Sequence, residues 1–346
     1  MAKVLFIGDT HNGANGNNAR LLQQNVELYE RIRKIIRAHN IDFCIDLGDF
    51  FDDREKIDVK TLGVVRNKML KDLPVPFYFI VGNHNLYYKN STLVNNLTET
   101  IGDLPNVIIV DKFKEVEGID LIPWITSTNA EYIAELVRTS TNKWCAGHFE
   151  FNGFQFDKTR IANEIKEKIP ASWFHHYLEV ISGHYHIASH KGNITYLGTP
   201  VQLTWVDVDV EKKLLILNTE TAEHLELVSS DELYHQYTLD ENGEGLSGVS
   251  KDDIAGKRIK VHYHVDTDKE KINNLQTILK SYAPDQLSFI PYGQKKKTKT
   301  QVSIAEGIEK SLLEYVRLIP CKEDERFRQV VEKLLFNYYN KVANKE

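Results

Sequence analysis

Five short apolar runs in this sequence each end in a glycine that is followed at once by aspartate, asparagine or histidine. The five junctions are GDTH (8–11), GDFFD (48–52), GNHN (82–85), GHFE (147–150) and GHYH (183–186). Short apolar runs bounded by turn residues predict buried β-strands, and glycine allows the backbone to turn sharply where each strand ends. In α/β sheets, ligands collect just beyond the carboxyl ends of the strands. The pattern therefore predicts one crevice lined by carboxylate, amide and imidazole side chains.

The apolar runs alternate with segments of helical periodicity, which is typical of an α/β fold. The predicted strands are KVLFI, DFCIDL, PFYFIV, KWCA, YLEVI and ITYL. Between the first two strands, apolar residues recur at helical spacing, at Leu22, Val26, Tyr29, Ile32 and Ile36. A second helix is expected after Asp58, a residue type that favours the N-cap position.

Three further local patterns complete the fold prediction. TNAE at 128–131 has the form of a capping box and predicts the start of another helix. Turn residues at Glu117-Gly118 and Glu220-Thr221 predict two hairpins, which make the sheets mixed. We therefore expect an α/β fold of layered mixed sheets with outer helices.

The chain changes character after about residue 230, which predicts further domains. Residues 1–230 form the expected main domain, and 231–291 read as strand, helix, strand, a small α+β module. The lysine-rich stretch at 292–300 has the composition of a linker. Residues 301–346 carry two helical apolar stripes separated by Pro320, which predicts a helical pair.

Composition limits the location and the partners. The sequence has no apolar run long enough for a membrane span, and its 3 cysteines lie far apart, so we expect a cytoplasmic protein in a reducing compartment. The formal net charge is -6, which gives no global attraction to nucleic acid. Any binding of phosphate must come from local patches or from bound metal.

The residues at the strand ends have the chemistry of a metal site. Oxygen and imidazole ligands without thiolate suit Mn²⁺, Fe²⁺ or Mg²⁺, and the lack of sulfur argues against structural zinc. The strand-end motifs supply more candidate ligands than one metal ion needs. Two ions about 3.5–4 Å apart, bridged by a shared carboxylate, would use all of them and suit an in-line displacement at phosphorus.

The ordered set of strand-end motifs resembles that of the calcineurin-like metallophosphoesterase superfamily. Within it, the chain is most similar to the SbcD-type DNA-repair nucleases, the Mre subunit of Mre–Rad recombination complexes, and in particular to bacteriophage versions. This resemblance includes IPW (122–124), GHFEFNGF (147–154) and YLGTPVQLTW (196–205). It is strong over residues 1–205 and rests only on the arrangement of segments beyond residue 230.

The resemblance implies a ligand set for two Mn²⁺ ions, with Mg²⁺ as the alternative. It assigns one ion to Asp9, His11 and His186, and the other to Asn83, His148 and His184, with Asp49 as the bridge. It also implies that His84 is a catalytic residue that stabilises the transition state and protonates the leaving oxygen, a contribution of typically 10²–10⁴-fold.

Two further candidate catalytic residues lie beside this set. Asp52 is expected either to hydrogen-bond a ligand or His84, or to cap the next helix. Asn85 departs from the family pattern, which usually has Asp or Glu at this position. Asparagine lacks the charge that could orient or polarise a neighbouring histidine, which predicts either a tolerated variant or a weakened site, and a gain in turnover for Asn85→Asp.

The resemblance implies a Mn²⁺-dependent DNA nuclease that acts as a 3′-to-5′ exonuclease on duplex ends and as an endonuclease on single strands. Residues 231–291 would form the DNA-contacting capping domain, residues 301–346 would bind an SbcC-type coiled-coil ATPase, and the chain would form a homodimer. Two alternatives stay open. One is another calcineurin-like phosphoesterase that acts on nucleotides or phosphoproteins, and the other is a catalytically weakened scaffold that binds DNA ends.

Overall fold

The computed structural model describes residues 2–155, 161–162, 167–293 and 333. All elements below belong to one compact unit, residues 1–292. Apart from Lys333, the expected helical pair at 301–346 lies outside the described residues, as does most of the expected linker at 292–300.

The first of two six-stranded sheets contains the first three predicted strands. Its order is β12-β11-β1-β2-β3-β4. The bounds are β1 (Lys3–Ile7), β2 (Phe43–Asp46), β3 (Phe77–Ile80), β4 (Val107–Val110), β11 (Lys213–Asn218) and β12 (Glu223–Val228). Strands β1 to β4 are parallel, and β11 joins β1 in antiparallel fashion. The carboxyl ends of β1, β2 and β3 therefore meet at one edge.

The second sheet has the order β5-β6-β7-β8-β10-β9. Its strands are β5 (Lys114–Val116), β6 (Ile119–Ile122), β7 (Trp144–His148), β8 (Glu179–Gly183), β9 (Ser189–Lys191) and β10 (Ile194–Tyr196). Strands β6, β7, β8 and β10 are parallel. The ladder pairs His148 with Gly183, so β7 and β8 extend further toward the crevice than the predicted runs KWCA and YLEVI.

An apolar layer joins the two sheets. Buried residues of the first sheet, such as Phe6 and Ile80, pack in one cluster with Leu121 and Ile181 of the second. Every residue of β2 and β8 is buried, as expected for strands covered on both faces. The predicted α/β class with two layered mixed sheets and both hairpins is confirmed.

Helices cover the outer faces of the sheets. They are α1 (Ala14–Asn17), α2 (Ala19–His39), α3 (Val59–Val64), α4 (Asn96–Ile101) and α5 (Ala130–Thr139). The short α1 is a single turn with left-handed backbone at Asn15 and Gly16, and α3 continues into a π-helical turn, Val65–Met69. Short 3₁₀ turns occur at Asn83–Asn85, Ala171–Phe174 and Trp205–Asp207. The predicted stripe of α2 is buried, and Tyr29 and Ile32 pack in one cluster with Phe77 of β3.

Of the two N-terminal caps predicted from the sequence, one is present and the other is not. Asp58 caps α3 as predicted, because its carboxylate accepts from the backbone N–H groups of Lys60 and Thr61. The predicted capping box at 128–131 is wrong, although the helix is present. The Thr128 hydroxyl donates to the carbonyl oxygen of Asn90 instead, and Asn129 makes no side-chain cap bond.

Residues 234–292 contain a third sheet, whose three strands are parallel, and a separate apolar cluster. The elements of this segment are β13 (Tyr234–Thr238), β14 (Arg258–His264), α6 (Lys269–Ser281) and β15 (Gln286–Tyr292). The predicted strand, helix and strand are present, and β13 was missed. None of the helices that the structure describes combines the length and apolar character that a bilayer crossing requires.

Candidate metal centre

The five predicted junctions converge where β1, β2, β3, β7 and β8 end. Contacts between the two sheets show this directly. The backbone N–H of His184 donates to Asp9 Oδ2 at 2.8 Å, and His148 Nδ1 lies 2.8 Å from the carbonyl oxygen of Leu47. Side chains separated by more than a hundred residues thus share one crevice.

Three candidate site residues have a strained backbone. His11, Asp49 and His184 have φ values of +45°, +50° and +90°. Such left-handed conformations are uncommon outside glycine, and they persist where the surrounding structure over-determines them. Gly82 and Gly183 have no room for a side chain, since a Cβ would lie 2.2 Å from Asp49 Oδ1 and 2.3 Å from Asp9 Oδ1 respectively. The glycines are needed because carboxylates lie against the backbone.

The first group of candidate ligands consists of Asp9, His11 and His186, whose ligand atoms lie within 4.8 Å of one another. The Nε2 atoms of His11 and His186 are 3.0 Å apart. His11 Nδ1 donates to Asp52 Oδ1 at 3.0 Å, which leaves its Nε2 lone pair directed at the other ring. A carboxylate that fixes an imidazole in this way is typical of metal-binding histidines.

The second group consists of Asn83, His148 and His184. Asn83 Oδ1 is 3.0 Å from His148 Nε2 and 3.0 Å from His184 Nδ1. Because the carbonyl oxygen of Leu47 can only accept, Nδ1 of His148 carries a proton, and Nε2 is the nitrogen that faces the crevice. His184 Nε2 lies 3.6 Å from a carboxylate oxygen of Glu150, so its Nδ1 is the atom that faces Asn83.

Asp49 belongs to the second group by position. Its Oδ2 is 3.2 Å from His148 Nε2, and it clusters with His148 and His184 within 4.8 Å. Its Oδ1 accepts from the backbone N–H of His84 at 2.8 Å. Only one oxygen is therefore committed to the protein backbone.

His84 lies beside the two groups and is held through its ring. Its Nδ1 donates to the carbonyl oxygen of Asp52 at 2.5 Å, so Nε2 is the nitrogen that can exchange a proton with a ligand in the crevice. Asp52 therefore orients His84 with its backbone and His11 with its carboxylate. The alternative that Asp52 caps the next helix is wrong, because Asp58 has that role.

Burial and opposing charges set the titration of the site. Burial raises the pKa of the Asp9 carboxyl to about 7, and burial lowers the pKa of His186 to about 3. Burial alone would lower the pKa of His148, but the charges of Asp49 and Asp9 raise it to about 9. Burial would likewise raise the pKa of Asp49, but the charge of His148 holds it well below its usual range. The site therefore stabilises positive charge placed among its carboxylates.

The donor set fits divalent metal ions. Asp9 is fully buried, and its Oδ1 has no hydrogen-bond partner among the described residues. An orphaned buried carboxylate oxygen is costly unless a cation accompanies it. Imidazole lone pairs that face each other, and others that face an amide oxygen, also require a proton or a cation between them. Oxygen and imidazole without sulfur suit Mn²⁺ or Mg²⁺ better than structural zinc.

Asn85 does not contact a histidine ring in the way the sequence suggested. It is fully buried, and its Oδ1 accepts from the backbone N–H groups of Asp49 at 3.1 Å and Gly82 at 3.0 Å. Its Nδ2 donates to Asn96 Oδ1 at 3.1 Å. A charge at position 85, which the sequence suggested would orient or polarise a neighbouring histidine, would therefore meet backbone N–H groups and Asn96 instead. Asn85 instead ties together the loops that follow β2 and β3.

This geometry reverses the expected effect of Asn85→Asp. A carboxylate at this position would set a second oxygen against Asn96 Oδ1, and Asn96 cannot flip without losing the bond from its Nδ2 to the carbonyl oxygen of Asp53 at 3.1 Å. We expect no gain in Mn²⁺-dependent turnover and a loss of about 1–3 kcal/mol in the free energy of unfolding. Urea denaturation and turnover measure the two effects. Asn90→Asp, an exposed asparagine further along the same loop, is the matched control. A rise in turnover would restore the charge hypothesis.

Sequence reasoning missed three neighbours of the site. Glu150 lies beside His184, and the only available signal was its place in GHFE. The ring of Trp124, in the IPW motif, is centred 5.0 Å from that of His184. The side chain of Asn96 accepts a hydrogen bond from Asn85, and nothing in the sequence around Asn96 indicated this contact.

Comparison with known proteins agrees with this geometry. The sequence model described as calcineurin-like phosphoesterase matches residues 2–210, which include every candidate ligand. Exonuclease subunit 1 of Enterobacteria phage T4 is 33% identical over 240 residues, 68% of this chain and 69% of that protein. A protein of Invertebrate iridescent virus 3, named as a phosphoesterase, is 28% identical over 216 residues, 58% of this chain and 57% of its own length. The chain therefore belongs to the calcineurin-like phosphoesterase family, as its strand-end motifs predicted, and is a metal-dependent phosphoesterase.

Proposed function

We propose that this chain is a DNA nuclease that uses two Mn²⁺ ions, or Mg²⁺ in their place, to hydrolyse phosphodiester bonds. The observation that supports this most is the convergence of two groups of candidate ligands with His84 beside them. The similarity to a phage protein named as an exonuclease subunit favours DNA over nucleotides or phosphoproteins as the substrate.

Each ion would be held by one group. Asp9, His11 and His186 would hold the first, Asn83, His148 and His184 would hold the second, and Asp49 would be shared between them. When bound, such a pair of ions supplies Lewis-acid stabilisation of charge for an in-line displacement at phosphorus. The ions also provide the local positive charge that a chain of net charge -6 lacks.

His84 would supply the proton. With Nδ1–H held by the carbonyl oxygen of Asp52, a protonated His84 directs its Nε2–H into the crevice. Donation of that proton to the leaving 3′ or 5′ oxygen of the DNA is general acid catalysis. Asp52 is a positioning residue in this scheme, because it holds His84 and His11 and contacts neither phosphate nor leaving group.

The cleavage modes proposed are 3′-to-5′ degradation of duplex ends and endonucleolytic cutting of single strands. Residues 231–291 would contact the DNA as a capping domain. Their attachment to the main domain supports a fixed placement, since Arg258 donates to Asn18 Oδ1 at 2.6 Å and the Tyr234 hydroxyl donates to the carbonyl oxygen of Leu203 at 2.9 Å. Asn18 is the N-cap of α2, a helix of the main domain.

Cleavage assays with end-labelled duplex DNA and a small activated phosphodiester test the proposal. We expect Mn²⁺-dependent release of nucleotides from DNA, blocked by EDTA and by phosphorothioate linkages at the 3′ ends. His84→Ser should remove the activity, whereas His190→Ser, an exposed histidine in β9, should not. Activity on the small ester alone would favour a general phosphoesterase. Activity on neither, together with binding of DNA ends, would favour a scaffold.

We also propose that residues 301–346 bind a coiled-coil ATPase of the SbcC type, and that the chain forms a homodimer. The word "subunit" in the name of the phage relative supports a complex. Deletion of residues 301–346 is expected to abolish co-purification with such an ATPase while nuclease activity on DNA persists. Retained ATPase binding would contradict this proposal, and light scattering of the intact chain tests the dimer.

A further inference from the structure

A buried lysine lies beneath the first ligand group. Lys212 immediately precedes β11 and is only 4% exposed. Its Nζ donates to Asp207 Oδ1 at 2.6 Å, to Thr199 Oγ1 at 2.8 Å and to the backbone carbonyl oxygen of His186 at 3.4 Å. The ammonium group thus has an acceptor for each of its protons, and one acceptor belongs to a candidate metal ligand.

Stability alone is a weak explanation for this arrangement. Taking a lysine and an aspartate out of water carries a large desolvation penalty for each ion, and apolar replacements of similar volume are often neutral or stabilising. A buried ion pair that holds a ligand-bearing loop is better explained by the position that it specifies. Asp207 is itself fixed, because its Oδ2 accepts from the backbone N–H groups of Leu203 and Thr204.

The backbone of His186 is held from two sides. Its carbonyl oxygen also accepts from the backbone N–H of Thr199 at 3.2 Å. Gly198 permits this approach, since a Cβ there would lie 2.9 Å from the same oxygen and φ is +77°. These residues belong to the YLGTPVQLTW motif, which the catalytic scheme does not use.

The ring of His186 projects from this held backbone toward the first ligand group. Asp52 fixes the ring of His11, and the carbonyl oxygen of Leu47 fixes that of His148. The Nε2 atom of His186 lies 3.0 Å from that of His11, so the position of the His186 backbone sets where its imidazole meets the other ligands.

We infer that Lys212 is a positioning residue for His186, which sets metal affinity at the first ion site through the His186 carbonyl group. The inference rests on the proposed function. The Lys212 ammonium, neutralised by Asp207, acts on the backbone of this ligand, whereas carboxylate and carbonyl oxygens act on the rings of His11 and His148. Loss of such outer partners typically lowers metal affinity or activity by about 10–100-fold.

Titration of the metal-free full chain with Mn²⁺ in a calorimeter tests the inference. Lys212→Met is expected to weaken one of the two binding events by about 10–100-fold, and raised Mn²⁺ concentration should recover part of the lost turnover. Lys213→Met is the matched control, because the next lysine pairs at the surface with Glu211 and Glu226 and should bind Mn²⁺ like the wild type. Thermal unfolding of the metal-free variants is measured in parallel.

A second variant keeps the test decisive if Lys212→Met does not fold. Thr199→Val removes one acceptor of Lys212 and preserves volume, and it should weaken the same binding event to a smaller extent. Wild-type Mn²⁺ affinity in folded Lys212→Met, or in Thr199→Val where Lys212→Met does not fold, would overturn the inference, even with a lowered melting temperature.

His186→Ala separates this failure from failure of the proposed function. If His186→Ala loses one binding event while the Lys212 and Thr199 variants do not, only the inference is wrong. If the wild type binds fewer than two ions, or His186→Ala binds like the wild type, the proposed metal centre itself is wrong.

Discussion

His84→Ala is expected to lower turnover on DNA by about 10²–10⁴-fold while two Mn²⁺ ions still bind with wild-type affinity. The reason is the separation of roles around the crevice. The Nδ1 atom of His84 is committed to the carbonyl oxygen of Asp52, and the ring lies beside that of His11, with centroids 5.1 Å apart, without replacing it in the first ligand group. Its removal takes away a proton donor and leaves both ligand groups intact.

The leaving group gives this prediction a sharper form. An alkoxide leaving from DNA needs a proton, whereas a nitrophenolate leaves without one. The variant should therefore lose much less activity on a nitrophenyl phosphodiester than on DNA, and His190→Ala should lose none on either substrate. Equal losses on the two substrates, or loss of a bound ion, would show that His84 is not the acid.

Asp49→Asn is expected to reduce Mn²⁺ stoichiometry below two and to lower turnover on the order of 10³-fold, since Lewis-acid stabilisation is worth several kcal/mol. Asparagine keeps an oxygen for the backbone N–H of His84, so the loop that carries Asn83 and His84 should hold its shape. The substitution removes the charge beside His148 Nε2, which is 3.2 Å from the Asp49 carboxylate.

Calorimetry of Mn²⁺ binding and turnover on DNA measure the two effects together. Asp53→Asn is the control, because Asp53 is exposed and its Oδ1 accepts from the backbone N–H groups of Glu55 and Lys56, a role that asparagine can fill. Binding of two ions by Asp49→Asn at wild-type affinity would rule out Asp49 as a bridging ligand.

Much of the fold could be predicted from local sequence patterns. Apolar runs that end in glycine located β1, β2, β3, β7 and β8. The parallel order of β1, β2 and β3 follows from the helices α2 and α3 that connect them. Asp58 was identified as an N-cap because capping depends on residues two and three positions away. Strand β13 was missed, since its alternating polar sequence YHQYT has too little apolar character to stand out from a loop.

Properties that depend on distant backbone could not be predicted. Asn85 was interpreted through its neighbour His84, but its partners include the N–H of Asp49, 36 residues away. Lys212 reaches a carbonyl group 26 residues away, and no local pattern marks a lysine as buried. Thr128 has the spacing of a capping box, but a competing acceptor at Asn90 takes its hydroxyl. In each case a tertiary contact replaced the local one.

Anomalous diffraction from a crystal grown with Mn²⁺ would locate the ions themselves. We expect two Mn²⁺ peaks in one crevice, the first bound by Asp9, His11 and His186, the second by Asn83, His148 and His184, and both by Asp49. A single peak, or two peaks that share no Asp49 oxygen, would contradict it.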